Sequence, residues 1–370
     1  MECPSIPTIP YSEFSEHIHT KTAGERIPVN GSIELTFRCN LNCVHCYCPR
    51  GNTEKEMSYE DVCRVLDDIA SSGCLWLTLT GGEPLLRDDF KDIYIYAKKK
   101  GMIITLFTNA TLITPEIASF LKSWPPFAVE VSIYGASKDT YERITAVRGS
   151  FERCLKGINL LFEHKIPLRL KTMLMTINKH ELFKMKRFAE SLGVEFRFDP
   201  LLNPTLSGSL EPCSYRIKPQ EVVELDLNDK KRKESWQEFC EKFPEPIKTD
   251  LLFSCSAGRT SFHIDPYGNL CMCIIVRSPA YDLRKGSFKE GWSDFFFNLL
   301  SKKKSSHSEC TFCELRDLCS FCPGAALLEK KDPDAKIEYF CEIAHLRAKV
   351  FNFGRYKKAV SKKEVVNYDK

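Results

Sequence analysis

The stretch Cys39-Asn40-Leu41-Asn42-Cys43-Val44-His45-Cys46 directly follows a strand-like run, Ile33-Glu34-Leu35-Thr36-Phe37. Its spacing is C-x3-C-x2-C, three thiols on one tight polar loop at the end of a strand. Iron–sulfur clusters are normally held by four cysteines. Three can hold three irons of a cubane and leave the fourth open to a small chelating molecule. Structural zinc is the rival reading, but it takes four ligands, commonly in C-x2-C pairs. His45 lies between Cys43 and Cys46, where so short a loop cannot easily aim four groups at one ion. Cys48 is the other candidate for a fourth ligand.

A second motif, Thr80-Gly81-Gly82-Glu83-Pro84, closes the apolar run Cys74-Leu75-Trp76-Leu77-Thr78-Leu79. Glycine permits close backbone approach and proline ends a strand. Around both motifs, strand-like and helix-like segments alternate. Strands are expected at 32–37, 75–80, 103–108, 128–133, 168–176 and 194–198, and helices at 58–71, 89–100, 114–123, 150–164 and 180–192. Ser58 with Asp61 reads as a capping-box variant, and Thr114 with Ile117 opens another helix. Such alternation predicts parallel strands joined by right-handed crossovers. Ligands of these folds bind at the carboxyl ends of the strands, where both motifs fall.

Together the two motifs resemble those of the radical S-adenosylmethionine (radical SAM) enzymes. The resemblance implies an α/β fold, a partial (β/α)6 TIM-like barrel, with a 4Fe-4S cluster on Cys39, Cys43 and Cys46 whose open iron chelates S-adenosyl-L-methionine. By the same likeness Gly81, Gly82 and Glu83 hold the amino-acid end of the cosubstrate. Asn109 and Ser132, at the ends of the third and fourth strands, would contact its ribose or carboxylate. An ordinary strand-end turn is the other reading of Asn109. His45 takes the place where the family keeps an aromatic residue against adenine. Arg143, Arg148, Arg153 and Lys171 are alternatives for the cosubstrate carboxylate, and spacing does not choose among them.

From about Asn203 the character changes. Residues 203–250, rich in Pro, Ser, Lys and Glu, read as a connector with one or two surface helices. Then Cys255 precedes a strand at 261–264, the turn Asp265-Pro266-Tyr267-Gly268-Asn269, and Leu270-Cys271-Met272-Cys273; the turn is a hairpin signal. Cys310-x2-Cys313-x5-Cys319-x2-Cys322 and an isolated Cys341 follow. A pair of zinc sites is the alternative for this segment taken alone. The order resembles the SPASM extension of radical SAM enzymes, which carries two auxiliary 4Fe-4S clusters, except that x3 is commoner between the last two cysteines of the array. Carried over by position, Cys310, Cys313, Cys319 and Cys341 hold an outer cluster, and Cys255, Cys273 and Cys322 an inner one. The inner cluster's fourth ligand stays open between Cys271, Cys213, Cys240 and a substrate-accessible iron. Cys271 and Cys273, two steps apart on an expected strand, would share a face. Cys3, Cys63, Cys74 and Cys154 have no array partners, and Cys63 and Cys154 read as small packing groups.

The implied organisation is an N-terminal segment (1–30), a core barrel (31–202), a connector (203–250), a C-terminal cysteine-rich iron–sulfur domain (251–345) and a basic tail (346–370). The 370 residues are 43% apolar and 28% charged with net charge +4, an ordinary balance that forces no nucleic-acid partner. No apolar run approaches the ~20 residues of a membrane span, and Met1–Pro10 lacks a signal-peptide core. Eighteen cysteines without an export signal read as metal ligands of a cytoplasmic protein rather than disulfides.

The resemblance implies an enzyme that reductively cleaves the cosubstrate to a 5′-deoxyadenosyl radical and abstracts hydrogen from a peptide or protein substrate. A flavodoxin or ferredoxin would supply electrons. The short N-terminal segment leaves no room for a winged-helix leader-binding domain. Ile274 stands after Cys273 where sulfatase-maturing relatives place an acidic residue, which argues against that reaction. The rivals are tetrapyrrole side-chain modification and a non-catalytic electron carrier.

Overall fold

In the computed structural model, the described residues are 9–49, 54–243, 249–305, 308–311, 313–319 and 321–353. Cys3 and residues 354–370 of the expected basic tail lie outside them.

Six strands and their crossover helices form the first part. The strands are β1 Asn30–Glu34, β2 Trp76–Thr80, β3 Ile103–Thr108, β4 Ala128–Ser132, β5 Leu168–Met173 and β6 Glu195–Asp199. The helices are α1 Tyr11–Glu25, α2 Tyr59–Ser71, α3 Phe90–Lys99, α4 Pro115–Ser123, α5 Lys138–Thr145, α6 Ser150–Glu163 and α7 Leu182–Ser191. Each expected strand is present, several of them a few residues shorter at one end. Neighbours among β1–β6 pair in parallel. The capping box of α2 forms as expected: Ser58 Oγ accepts from Asp61 N at 3.2 Å, and Asp61 Oδ2 accepts from Ser58 N at 3.2 Å.

Register sorts the two sheet faces. Ile33, Leu79, Leu106, Val129 and Leu168 lie in one cross-strand row. All are buried in the main core with Val62, Val65, Leu66 and Ile69 of α2. Full burial of each such side chain stabilises by roughly 1.5–3 kcal/mol. The opposite face is polar, with Glu34, Thr80, Thr105, Glu130, Ser132, Lys171 and Arg197. A packed outer face and a polar inner one make the concave side the place for ligands.

Two helices of this first part escaped the sequence reading. Helix α1 closes the amino ends of β1 and β2: His19 lies against Trp76 with ring centres 5.1 Å apart and the rings tilted by 34°, and its Nε2 meets Asn30 Nδ2 at 2.6 Å. Helix α5 is short and polar, capped by Ser137 and anchored by buried Tyr141 and Ile144.

The second part does not stand off from the first. Strand β7, Ser261–Ile264, pairs in parallel with β1, and the expected hairpin continues through β8, Asn269–Cys271, to β9, Tyr281–Asp282. The result is one nine-stranded sheet, β6-β5-β4-β3-β2-β1-β7-β8-β9. Helices α8 Pro219–Asn228 and α9 Lys230–Lys242 occupy the connector, followed by α10 Phe288–Glu290, α11 Phe296–Leu300, α12 Arg316–Cys319, α13 Pro323–Lys330 and α14 Glu338–Val350. The connector is not merely surface helix. Val222 and Val223 of α8 are buried in a second core with Ala325, Ala326, Phe340 and Ile343. Beside them Asp226, wholly buried, pairs with Arg347 of α14 at 2.8 Å.

Candidate iron–sulfur and cosubstrate site

The two motifs meet at the carboxyl ends of β1 and β2. Gly82 N donates to Thr36 O at 2.7 Å and Glu83 N to Arg38 O at 2.9 Å, so the glycine turn is sewn to the strand end that launches the cysteine loop. A Cβ on Gly82 would stand 2.3 Å from Arg38 O; one on Gly81, whose φ is +149°, would stand 2.4 Å from Thr36 O. Both glycines are therefore required by loop-to-loop contact, before any ligand is considered. The far end of the cysteine loop rests on α5, through Asn42 N to Thr145 O at 2.8 Å and Val44 N to Ile144 O at 3.0 Å.

Glu83 is wholly buried. Its Oε1 accepts from Thr108 Oγ1 at 2.8 Å and Leu85 N at 3.2 Å, and its Oε2 from Asn109 N at 2.8 Å. Burial, opposed by these bonds, pushes the carboxyl up to about 7. Asn109 donates to Asn40 Oδ1 at 3.0 Å and toward Cys39 Sγ at 3.9 Å, while Thr111 donates to its Oδ1. It is thus a brace between β3 and the cysteine loop. Ser132 shares a hydrogen bond with Tyr134. The Tyr134 phenol is held well above its usual range, first by burial, with the charges of Cys43, Cys46 and Cys39 adding.

His45 is 9% exposed, stands edge-on to Tyr134 with ring centres 4.6 Å apart, and its Nδ1 has no partner among the described residues. Burial pushes it down to about 4, which leaves a neutral imidazole with a vacant hydrogen-bonding atom. Cys48 is buried and hydrogen-bonded to Cys46. Among the carboxylate candidates, Lys171 is already engaged. Its Nζ is 3.5 Å from Glu130 Oε2 and 2.9 Å above the Phe107 ring centre, and burial lowers its pKa to about 7. Arg143, Arg148 and Arg153 form no ion pair among the described residues.

The sequence reading missed the buried charge at the end of β1. Glu34 accepts from Tyr47 OH at 3.0 Å and Arg277 Nη1 at 2.9 Å, and pairs with His263 Nε2 at 3.1 Å. Burial acts to raise its pKa, but the hydrogen bonds and charges of His263 and Arg277 outweigh it and hold the carboxyl at about 2. Tyr47 follows Cys46 and Arg277 lies four residues past Cys273, so Glu34 ties the two cysteine loops together. The only signal in the sequence was an acidic residue inside an apolar strand.

The C-terminal thiols fall into two groups. Cys322 lies within electrostatic reach of Cys273 and Cys255. Cys319 is within reach of Cys341, Cys310 and Cys313. A cavity of about 30 Å³ is lined by Cys310, Cys313, Cys319, Cys322 and Cys341, placing Cys322 on the wall between the groups. Among the described residues no three His, Cys, Asp or Glu side chains close on a single-ion position.

Cys271 departs from expectation. Strand β8 ends at that residue, so the shared-face argument with Cys273 fails. Cys271 is wholly buried, its thiol donates to Asn269 O at 3.6 Å and toward Arg277 O at 3.9 Å, and burial pushes it up to about 12. Cys240 packs in a small core with Leu315, Leu318 and Ala344, and Cys213 sits in a turn at Glu211–Tyr215. Cys74 and Cys154 are buried, whereas Cys63 is half-buried and hydrogen-bonded to Tyr59.

Comparison with known proteins bears on this geometry. The profile of the Radical SAM superfamily matches residues 33–190. The chain is 29% identical over 318 residues to the AdoMet-dependent heme synthase of Methanosarcina barkeri, covering 79% of this chain and 90% of that protein. It is 25% identical over 319 residues to the antilisterial bacteriocin subtilosin biosynthesis protein AlbA of Bacillus subtilis, covering 81% and 68%. Among solved structures, Streptococcus suis SuiB bound to precursor peptide SuiA superposes with a TM-score of 0.68 at 16% identity, covering 92% of this chain and 83% of that one, a likeness of fold. Two motif loops joined at the strand ends, a parallel α/β sheet and a cysteine-rich C-terminal part agree with these matches: residues 33–190 form a radical SAM domain.

Proposed function

We propose that the enzyme modifies a peptide or protein, using Cys39, Cys43 and Cys46 for the cosubstrate-binding cluster and two auxiliary 4Fe-4S clusters in residues 251–345. With cluster and S-adenosyl-L-methionine bound, a radical SAM enzyme reductively cleaves the cosubstrate to a 5′-deoxyadenosyl radical that abstracts hydrogen from its substrate. Within this chain, Gly81 and Gly82 let the turn lie against Thr36–Arg38, and Glu83 ties the turn to Thr108 and Asn109 at the end of β3. The neutral His45, with its vacant Nδ1 beside Tyr134, suits a planar base such as adenine. Ser132 stands on the inner face at the end of β4, next to Lys171 in register. The polar concave face orients the substrate, and the packed outer face excludes water from the reacting atoms.

The outer auxiliary cluster would take Cys310, Cys313, Cys319 and Cys341; the inner one would take Cys255, Cys273 and Cys322. Cys271 is the weakest member of the ligand set, since its thiol is committed to backbone carbonyls. A small one-electron donor such as flavodoxin or ferredoxin in the cytoplasm completes the reading. The observation that carries the peptide substrate is the overlay on SuiB, solved with its precursor peptide, across 92% of this chain. A specific observation favours a second reading, tetrapyrrole modification: the heme synthase match spans 90% of that relative.

One experiment separates them. Anaerobically reconstituted enzyme, S-adenosyl-L-methionine and reductant are incubated with a short peptide encoded beside the gene or with an iron porphyrin bearing propionates. Mass loss on the peptide with matching 5′-deoxyadenosine supports the first reading. Turnover of the porphyrin alone replaces it with the second.

A further inference from the structure

Arg316 is a buried cation placed between the two auxiliary cysteine sets. It opens α12, the helix carrying Cys319, and is 8% exposed. Its Nη2 donates at 2.8 Å to Ser254 Oγ, on the residue before Cys255. Its guanidinium carbon is 5.7 Å above the Phe321 ring centre, and its side chain lines the cavity shared by Cys310, Cys313, Cys319, Cys322 and Cys341.

Other arginines of this region have carboxylate partners. The buried Arg347 pairs with Asp226 at 2.8 Å and the half-buried Arg216 with Glu329 at 2.7 Å. Arg316 has no such pair among the described residues. Lys304, also 8% exposed, adds a second positive charge nearby: burial first, then the charge of Arg316, lowers its pKa, while Asp334 and Asp250 act the other way. A buried cation without a counter-charge is costly. An iron–sulfur cluster on four thiolates is a net anion, and one unit more negative when reduced.

We propose that Arg316 supplies the counter-charge of the auxiliary clusters and sets their reduction potentials. The proposal rests on the auxiliary-cluster reading above. When a one-electron donor reduces a cluster, the fixed guanidinium stabilises the more negative form more strongly, so the potential rises. Arginine keeps its charge throughout the working pH range. Arg316 is thus a tuning residue, not a catalytic one, and its signature is a potential.

The test uses the full chain with Cys39, Cys43 and Cys46 all replaced by Ala, which silences the core cluster. Auxiliary midpoints are then read by anaerobic dithionite titration followed by electron paramagnetic resonance. Arg316→Gln should keep the iron content and lower at least one auxiliary midpoint by a tenfold change in the reduction equilibrium, about 59 mV for one electron. Arg316→Lys should shift it less than half as far. If Arg316→Gln loses its irons, Ser254→Ala, which frees the guanidinium from its anchor, should lower the same midpoint. Unmoved midpoints in an iron-loaded variant, or a Lys variant shifted as far as Gln, overturn the proposal alone. A parent chain holding no auxiliary iron overturns the cluster reading with it.

Discussion

The two cysteine-bearing regions are built in opposite ways. In the barrel, all three thiols sit within residues 39–46, and their loop is held by backbone bonds to the glycine turn and to α5. In the C-terminal part the thiols come from separate segments, Cys255, Cys273, the 310–322 array and Cys341. They meet only because β7 joins β1 and α14 packs on α8. A contiguous loop can present its thiols through local geometry. A dispersed set depends on the whole fold, and on the cluster itself, to draw it together.

The sharpest way to break this comparison is to remove one region's thiols. Replacing Cys39, Cys43 and Cys46 together with Ala should abolish 5′-deoxyadenosine formation, measured by chromatography, while iron falls from about twelve to about eight per chain. Loss of all iron would show that the two regions are not independent.

The link between them, Glu34, should carry the next largest effect. Its folded pKa of about 2 lies below the ordinary glutamate value of ~4.3. A depressed carboxyl contributes stability that is present above its unfolded pKa and lost as pH falls through the folded one. Glu34→Gln should therefore cost about 3 kcal/mol at neutral pH, and the cost should shrink between about pH 5 and 2. Anaerobic denaturant unfolding as a function of pH checks both the size and the sign.

Gly82→Ala probes the rigid side of the comparison. The added Cβ meets backbone rather than a mobile side chain. The loop must then shift, at a cost of about 1–3 kcal/mol, and affinity for S-adenosyl-L-methionine should fall. Calorimetric titration of the cosubstrate alongside thermal unfolding reads the two together, and unchanged affinity would show that the turn does not set the cosubstrate site.

The smallest effect is expected at Cys271. Cys271→Ala leaves a small void in a packed site and should cost about 1 kcal/mol, with all cluster spectra retained. An altered inner-cluster spectrum would restore it as a ligand and show that the dispersed region rearranges when iron binds.

Legibility followed the same division. The strands of the barrel were readable because each apolar run ends at a motif or a helix cap, as Ser58 and Thr114 show. Helix α5 was missed because only Tyr141, Ile144 and its neighbours face inward, too few positions for a periodic signal. Helix α1 carries scarcely any apolar stripe; what holds it is contact with Trp76. The shared-face argument for Cys271 and Cys273 fails because strand continuation was assumed past the point where β8 stops pairing with β7. The glycines of the turn were singled out for approach to a ligand, and the first backbone they meet is Thr36–Arg38, just ahead of the cysteine loop.

By itself the sequence determined the order of strands and helices, the three-thiol loop and the glycine turn, because hydrophobic period, caps and cysteine spacing are local properties written along the chain. Only the tertiary structure decided that β7 continues the barrel sheet, that Glu34 bridges Tyr47, His263 and Arg277, and that Cys322 stands between two thiol groups. Glu34 meets His263 and Arg277 across 229 and 243 positions, and Tyr47 across 13. Such contacts are fixed by strand register and by the need to satisfy buried charge, neither of which local hydrophobic period or cysteine spacing records.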